Sequence, residues 1–155
     1  MTSARMTLEE LDAFLERDFP QMNQGGKTYV VEAVGDRYAR VRLIYHERHL
    51  RPGGTISGPS MFALADFALY AAILASIGPV ALAVTTNLTI NFLRKPEARD
   101  LICECRLLKL GRRLAVGEAL IASEGEEELA AHATGTYSIP PDRQSMLERS
   151  GRRSA

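Results

Sequence analysis

Between Ser57-Gly58-Pro59 and Gly78-Pro79 lies a stretch in which Asp66 is the only carboxylate among residues 61–77. Ser57 or Gly58 can cap a helix there, and Pro59 falls where a missing N–H costs nothing. Gly78-Pro79 is a stop that a helix does not pass. A helix apolar on every side is a buried helix. Its length also suits a membrane span. The Asp at its centre, the Gly-Pro pair at each end and the alternating flanks argue instead for the core helix of a folded domain. Asp66 shares a stripe with Phe62, Leu69, Tyr70 and Ile73, because residues three and four apart lie on one helix face. A carboxylate among such neighbours needs a partner or a task, since an unpaired buried charge is expensive. The plain alternative is a structural Asp that caps or bridges nearby backbone.

Around this helix the chain reads as strands. Thr7-Leu8-Glu9-Glu10 is a capping box that opens a short helix with Leu8, Leu11, Phe14 and Leu15 on one face, closing by Phe19-Pro20. Gln24-Gly25-Gly26 is a linker turn. Strands are expected at 29–34 and 38–45 as a hairpin, then at 82–93, 100–110, 114–123 and 128–139. In the second, Ala39, Val41, Leu43 and Tyr45 share a face. Thr85, Asn87, Thr89 and Asn91 form a polar ladder on the third. The 155 residues are read as one domain, with an N-terminal helix and linker (1–26), a core (27–139) and a flexible tail (140–155). An all-apolar helix followed by long twisted strands implies an α+β domain, one antiparallel sheet curling about the helix. One helix face stays uncovered, which favours a partner subunit.

Charge and cysteine usage narrow the function classes. Nineteen Lys and Arg balance nineteen Asp and Glu, so no whole-protein field points to nucleic acid or membrane as a partner. Cys103 and Cys105 stand two apart on one strand face, a poor disulfide pair, with no second Cys/His cluster for zinc. Residues 1–10 carry no apolar signal core, and a reducing, cytoplasmic compartment is the expectation.

The segment Arg51-Pro52-Gly53-Gly54-Thr55-Ile56-Ser57-Gly58-Pro59, then Leu64-Ala65-Asp66, then Thr85-Thr86-Asn87-Leu88-Thr89-Ile90-Asn91-Phe92-Leu93-Arg94, resembles the hotdog-fold thioesterases of the phenylacetate-pathway, PaaI-like type. The family pattern is Asn-x-x-Gly-x-x-His-Gly-Gly, then a helix containing Leu-Ala-Asp. The likeness runs over residues 29–139. It implies a hotdog fold and hydrolysis of acyl-CoA thioesters without metal or organic cofactor. It implies that Asp66 is the catalytic carboxylate, that the Gly58 N–H holds the thioester oxygen, and that Thr85 helps place the water. The family His, second Gly and Asn are Ser57, Pro59 and Arg51 here, and Pro59 has no N–H to offer. It also implies a homodimer, assembled further into a homotetramer.

Elementary chemistry fits these expectations. A helix start offers unpaired N–H groups and a positive dipole end to a developing oxyanion. A water attacking a thioester needs a base, and an apolar wall would raise the pKa of Asp66. Gly58 and Asp66 are eight residues apart, about 12 Å along one helix, so they serve one thioester only if two chains each supply one of them. Arg94 and Lys95 after the third strand, and Arg112 in a hairpin turn beside Arg113, are candidates for the phosphates of coenzyme A. Asn87 could line the substrate pocket. His46 and His49 have His-x-x-His spacing without an evident third metal ligand. Two other functions compete: a hydratase or dehydratase using His49 with Asp66, and a non-catalytic acyl-CoA-binding protein. His132 is expected to be structural or superficial.

Overall fold

The computed structural model describes residues 4–23, 25–80 and 82–141. Gln24 of the linker turn and residues 142–155 of the expected tail lie outside the described residues. The first helix, α1 (Leu8–Asp18), starts at Thr7 with both hydrogen bonds of the capping box, and buries Leu11, Phe14 and Leu15. A single 3-10 turn, Pro20–Asn23, follows it. The long helix α2 (Gly58–Ile77) is capped by Ser57, whose Oγ accepts the Ser60 N–H, and stops at Gly78.

Six strands follow the expected pattern: β1 (Tyr29–Gly35), β2 (Tyr38–Leu43), β3 (Val84–Phe92), β4 (Leu101–Leu110), β5 (Leu114–Ser123) and β6 (Leu129–Ser138). They form one antiparallel sheet in the order β1-β2-β4-β5-β6-β3, and α2 packs against every strand. This is the hotdog arrangement. Alternation dictates what meets the helix: Ala39, Val41 and Leu43 on β2, Leu101, Cys103 and Cys105 on β4, Ala115, Ala119 and Ile121 on β5, Ala131 and Ala133 on β6. The two cysteines are free and buried, and burial pushes the Cys105 thiol up to about 12.

Close approach of helix and sheet depends on two glycines. Gly117 of β5 and Gly135 of β6 are cross-strand partners. A methyl group on Gly117 would lie 2.4 Å from Leu69 Cδ2, and one on Gly135 would lie 2.6 Å from Leu69 Cδ1. Leu69 therefore sits in a dimple that any larger side chain would fill.

The expected uncovered helix face is a stripe in which Pro59, Phe62 and Ala63 are exposed and Asp66 and Tyr70 half-buried, at spacings of three and four. Two other expectations change. Leu69 and Ile73, expected on the Asp66 stripe, are instead fully buried. The polar ladder is also broken. The pairing of β3 with β6 shifts register between Thr85 and Asn87, so an extra residue enters there and the alternation reverses. Thr85, though itself exposed, thereby turns toward Asp66 on the side of Leu88 and Ile90, and Asn87, Thr89 and Asn91 point the other way and are exposed.

Candidate active site

Asp66 lies two turns into α2, where the open stripe begins to close. Its Oδ1 accepts two hydroxyl hydrogen bonds, from Thr85 Oγ1 at 2.5 Å and from Tyr137 Oη at 2.8 Å. The Tyr137 hydroxyl is also 3.0 Å from the Asp66 carbonyl oxygen. The bulge in β3 delivers Thr85, and β6 delivers Tyr137 from beneath. Burial, and then the nearby Asp66 carboxylate, push the Tyr137 phenol far above its ordinary value. It therefore stays protonated and keeps donating. Among the described residues Asp66 Oδ2 has no hydrogen-bond partner. Two donors on one oxygen hold the carboxylate in a fixed rotamer and leave the other oxygen for a water.

Asp66 opens onto a groove of about 540 Å³ lined by Ala63, Phe67, Tyr70, Tyr29, Thr85 and Tyr137 on one side and by the Asp18–Met22 region on the other. Tyr29 stacks on Phe67 with ring centroids 5.0 Å apart, and Tyr70 stacks on Tyr137 at 6.2 Å. Aromatic rings dominate the walls around Asp66, and a second carboxylate, Asp18, stands on the far side.

The start of α2 opens onto a second groove of about 550 Å³. Arg51, Gly58, Pro59, Arg94 and Lys95 all line it. Pro59 has no N–H, the Ser60 N–H goes to Ser57 Oγ, and the Met61 N–H goes to the Ser57 carbonyl. The Gly58 N–H is thus the first-turn donor with no partner among the described residues. Phe92 covers Gly58 closely, and a methyl there would lie 3.1 Å from its ring, which is 53% exposed and would have to shift slightly.

The matching family description decides what kind of protein this is: the thioesterase superfamily model matches residues 53–130. The chain belongs to the thioesterase superfamily. A solved structure from Silicibacter sp. TM1040, provisionally named a thioesterase, is 54% identical, with 89% of this chain and 94% of that one aligned at a TM-score of 0.80. A variant of the phenylacetic acid degradation protein PaaI from Thermus thermophilus is 28% identical over 78% of this chain and 99% of that one, at a TM-score of 0.67. A protein of Saccharolobus solfataricus, provisionally named an esterase, is 28% identical over 131 residues, 84% of this chain and 78% of its own length.

Set against the expected site of this thioesterase-superfamily chain, the structure joins Asp66 with Thr85 and gathers Arg51, Gly58, Pro59, Arg94 and Lys95. It keeps Gly58 and Asp66 in separate grooves. Ser57 is the helix cap, its Oγ 2.9 Å from Ser60 Oγ. Asn87 and Arg112 line neither groove. Arg94 is held by Glu128 at 2.5 Å and Glu126 at 3.6 Å. His49 Nδ1 accepts the His46 backbone N–H at 3.2 Å, and His49 lines neither groove. Among the described residues no three His, Cys, Asp or Glu side chains cluster to hold a metal. His132 Nε2 lies 2.9 Å from Glu118 on the outer sheet face. Tyr137, Tyr29 and Phe19 were not singled out from sequence. The signal for Tyr137 is its place in the inward-facing set of the last strand, where it follows Ala131, Ala133 and Gly135 as the one side chain carrying a hydroxyl.

Proposed function

We propose that the protein hydrolyses acyl-CoA thioesters, with Asp66 as general base and the Gly58 N–H of a second subunit as oxyanion donor. The observation that carries this reading is the Asp66 carboxylate, fixed through Oδ1 by Thr85 and Tyr137, with Oδ2 open to an apolar groove. Water placed there gives a proton to Asp66 as its oxygen attacks the thioester carbonyl carbon. The developing oxyanion is stabilised by an unpaired N–H at a helix start. The tetrahedral intermediate then expels the coenzyme A thiolate, which takes up the proton from Asp66, leaving a free acid and coenzyme A.

The separation of the two grooves along α2 supports a homodimer, since neither groove holds both groups. The edge strand β3 favours the same assembly. It pairs with β6 on one side, and Val84, Phe92 and the adjoining Leu82 and Leu93 are each more than half exposed. Such an apolar edge invites a second copy. A tetramer of two such dimers extends this reading, and the cytoplasm suits it. Arg51, Arg94 and Lys95 give the second groove positive charge suited to the phosphates of coenzyme A.

Asp66→Asn keeps size and removes the base. Thiol release from a panel of acyl-CoAs is expected to fall about 10²–10⁴-fold, with the melting temperature and the sedimenting dimer unchanged. Equal rates in wild type and variant, or a fully active monomer in dilute solution, would overturn the mechanism.

A further inference from the structure

Outside the residues just assigned, the Asp66 groove has a wall from a part of the chain that the hotdog sheet does not require. Asp18, Phe19, Gln21 and Met22, at the end of α1 and in the 3-10 turn, all line it. Phe19 meets Tyr70 edge-on, with centroids 6.2 Å apart. Tyr70 follows Asp66 by one turn of α2, about 6 Å along the axis. Leaving Asp66 along the helix, an acyl chain therefore reaches the Tyr70–Phe19 pair after about five carbons in extended zigzag.

The wall is anchored at both ends. Asn23 Oδ1 accepts the backbone N–H groups of Thr28 at 2.8 Å and Tyr29 at 3.2 Å, tying the 3-10 turn to the start of β1. Arg48 bonds Thr28 Oγ1 and the Gly25 carbonyl from the neighbouring loop. At the other end the Arg5 and Met6 N–H groups both donate to the Ala75 carbonyl, at 2.7 and 3.2 Å, and Leu11, Phe14 and Leu15 are buried. A segment with bonded ends and a packed helix before it is a fixed boundary.

We infer that this N-terminal wall gauges acyl length: Phe19 and Met22 form the stop, Asn23 is the positioning residue, and the preferred substrates are thioesters of short, uncharged acyl groups. The inference rests on the acyl-CoA reading above. Asp18 in the same wall, even with the exposed Arg17 Nε 3.3 Å from its Oδ1, disfavours acyl groups that end in a carboxylate, by like-charge repulsion across a partly apolar space.

The test compares wild type, Phe19→Ala and Met22→Ala on straight-chain acyl-CoAs from two to twelve carbons, by thiol release and, in an Asp66→Asn background, by calorimetric binding. Wild-type activity should peak at short chains. Each variant should move the optimum to longer ones, with kcat/KM gaining about fourfold per methylene that the opened groove buries. Asn23→Ala should broaden the length profile through KM more than through kcat, because Asn23 acts on the wall and not on the reacting atoms. Unchanged length profiles in both stop variants, with melting temperatures near wild type, would overturn the gauge. Binding that shifts with chain length while wild type releases no thiol would uphold the gauge and remove the hydrolase reading. Absence of both binding and hydrolysis would remove both.

Discussion

Gly117→Ala tests whether one buried leucine sets the height of the central helix above the sheet. The added methyl would stand 2.4 Å from Leu69 Cδ2, 3.1 Å from Leu107 Cδ2 and 3.2 Å from the Arg106 carbonyl oxygen. Carbon atoms in good contact are 3.5–4.0 Å apart, so the first contact is short by about 1.1 Å or more. Leu69 is 1% exposed and has nowhere to turn. Overpacking of this kind costs about 1–3 kcal/mol. Leu69→Ala alone leaves a cavity, at about 2–5 kcal/mol. In the double variant the new methyl occupies part of that cavity and the shortest clash, with Leu69, disappears, leaving the milder contacts with Leu107 and the Arg106 carbonyl. The two changes together should therefore be less destabilising than their sum, by about 1–3 kcal/mol of coupling. Urea unfolding of the four proteins measures this, provided that the m-values agree. Leu69 follows Asp66 by three residues, so a helix lifted by Gly117→Ala also stretches the 2.8 Å bond to Tyr137, and kcat should fall. Additivity within about 0.5 kcal/mol would refute the claim that the paired glycines exist to seat Leu69.

That dimple also shows where sequence reasoning stops. Gly117 and Gly135 are visible as glycines inside strand patterns, but only the register of β5 on β6 sets them side by side. The helix was legible because its caps and composition are local, and the strands because inward and outward residues alternate. Asp66 stood out as one carboxylate in an apolar run. Its partner Tyr137 did not, because the two are 71 residues apart in sequence and meet only when β6 passes beneath the helix. The bulge at Thr85 was equally hidden. No glycine or proline marks residues 85–87, and strict alternation then assigns Thr85 to the wrong set of neighbours. The N-terminal wall follows the same rule: its capping box announces a helix, but where that helix docks is decided by tertiary packing. Local chemistry was readable, and contacts between distant segments were not.

Two further predictions concern charge. Burial first, then Arg48 and His46, lower the pKa of His49 from its ordinary value of 6.5. The folded protein thus binds fewer protons there than the unfolded chain. The contribution of His49 to stability is complete above 6.5 and is lost as pH falls through the lower folded value. His49→Gln should flatten this part of the stability curve measured by urea unfolding from pH 7.5 to 5, and an unaltered slope would contradict it. The last concerns the second groove. Arg94 is partly exposed, bonded to Glu128 and close to Glu126, so replacing it by Glu turns a positive charge into a negative one and sets a third carboxylate beside the two already there, all facing any phosphate bound in the groove. KM for acyl-CoA should rise roughly 3- to 10-fold at low salt, the scale of a partly exposed charged hydrogen bond. The effect should fade as ionic strength passes 0.1 M, where the screening length is about 10 Å. Arg112→Glu is the control, because Arg112 lies in the β4–β5 turn and lines neither groove. An unchanged KM for Arg94→Glu at low salt, or an equal rise for Arg112→Glu, would mean that the second groove does not receive the phosphates.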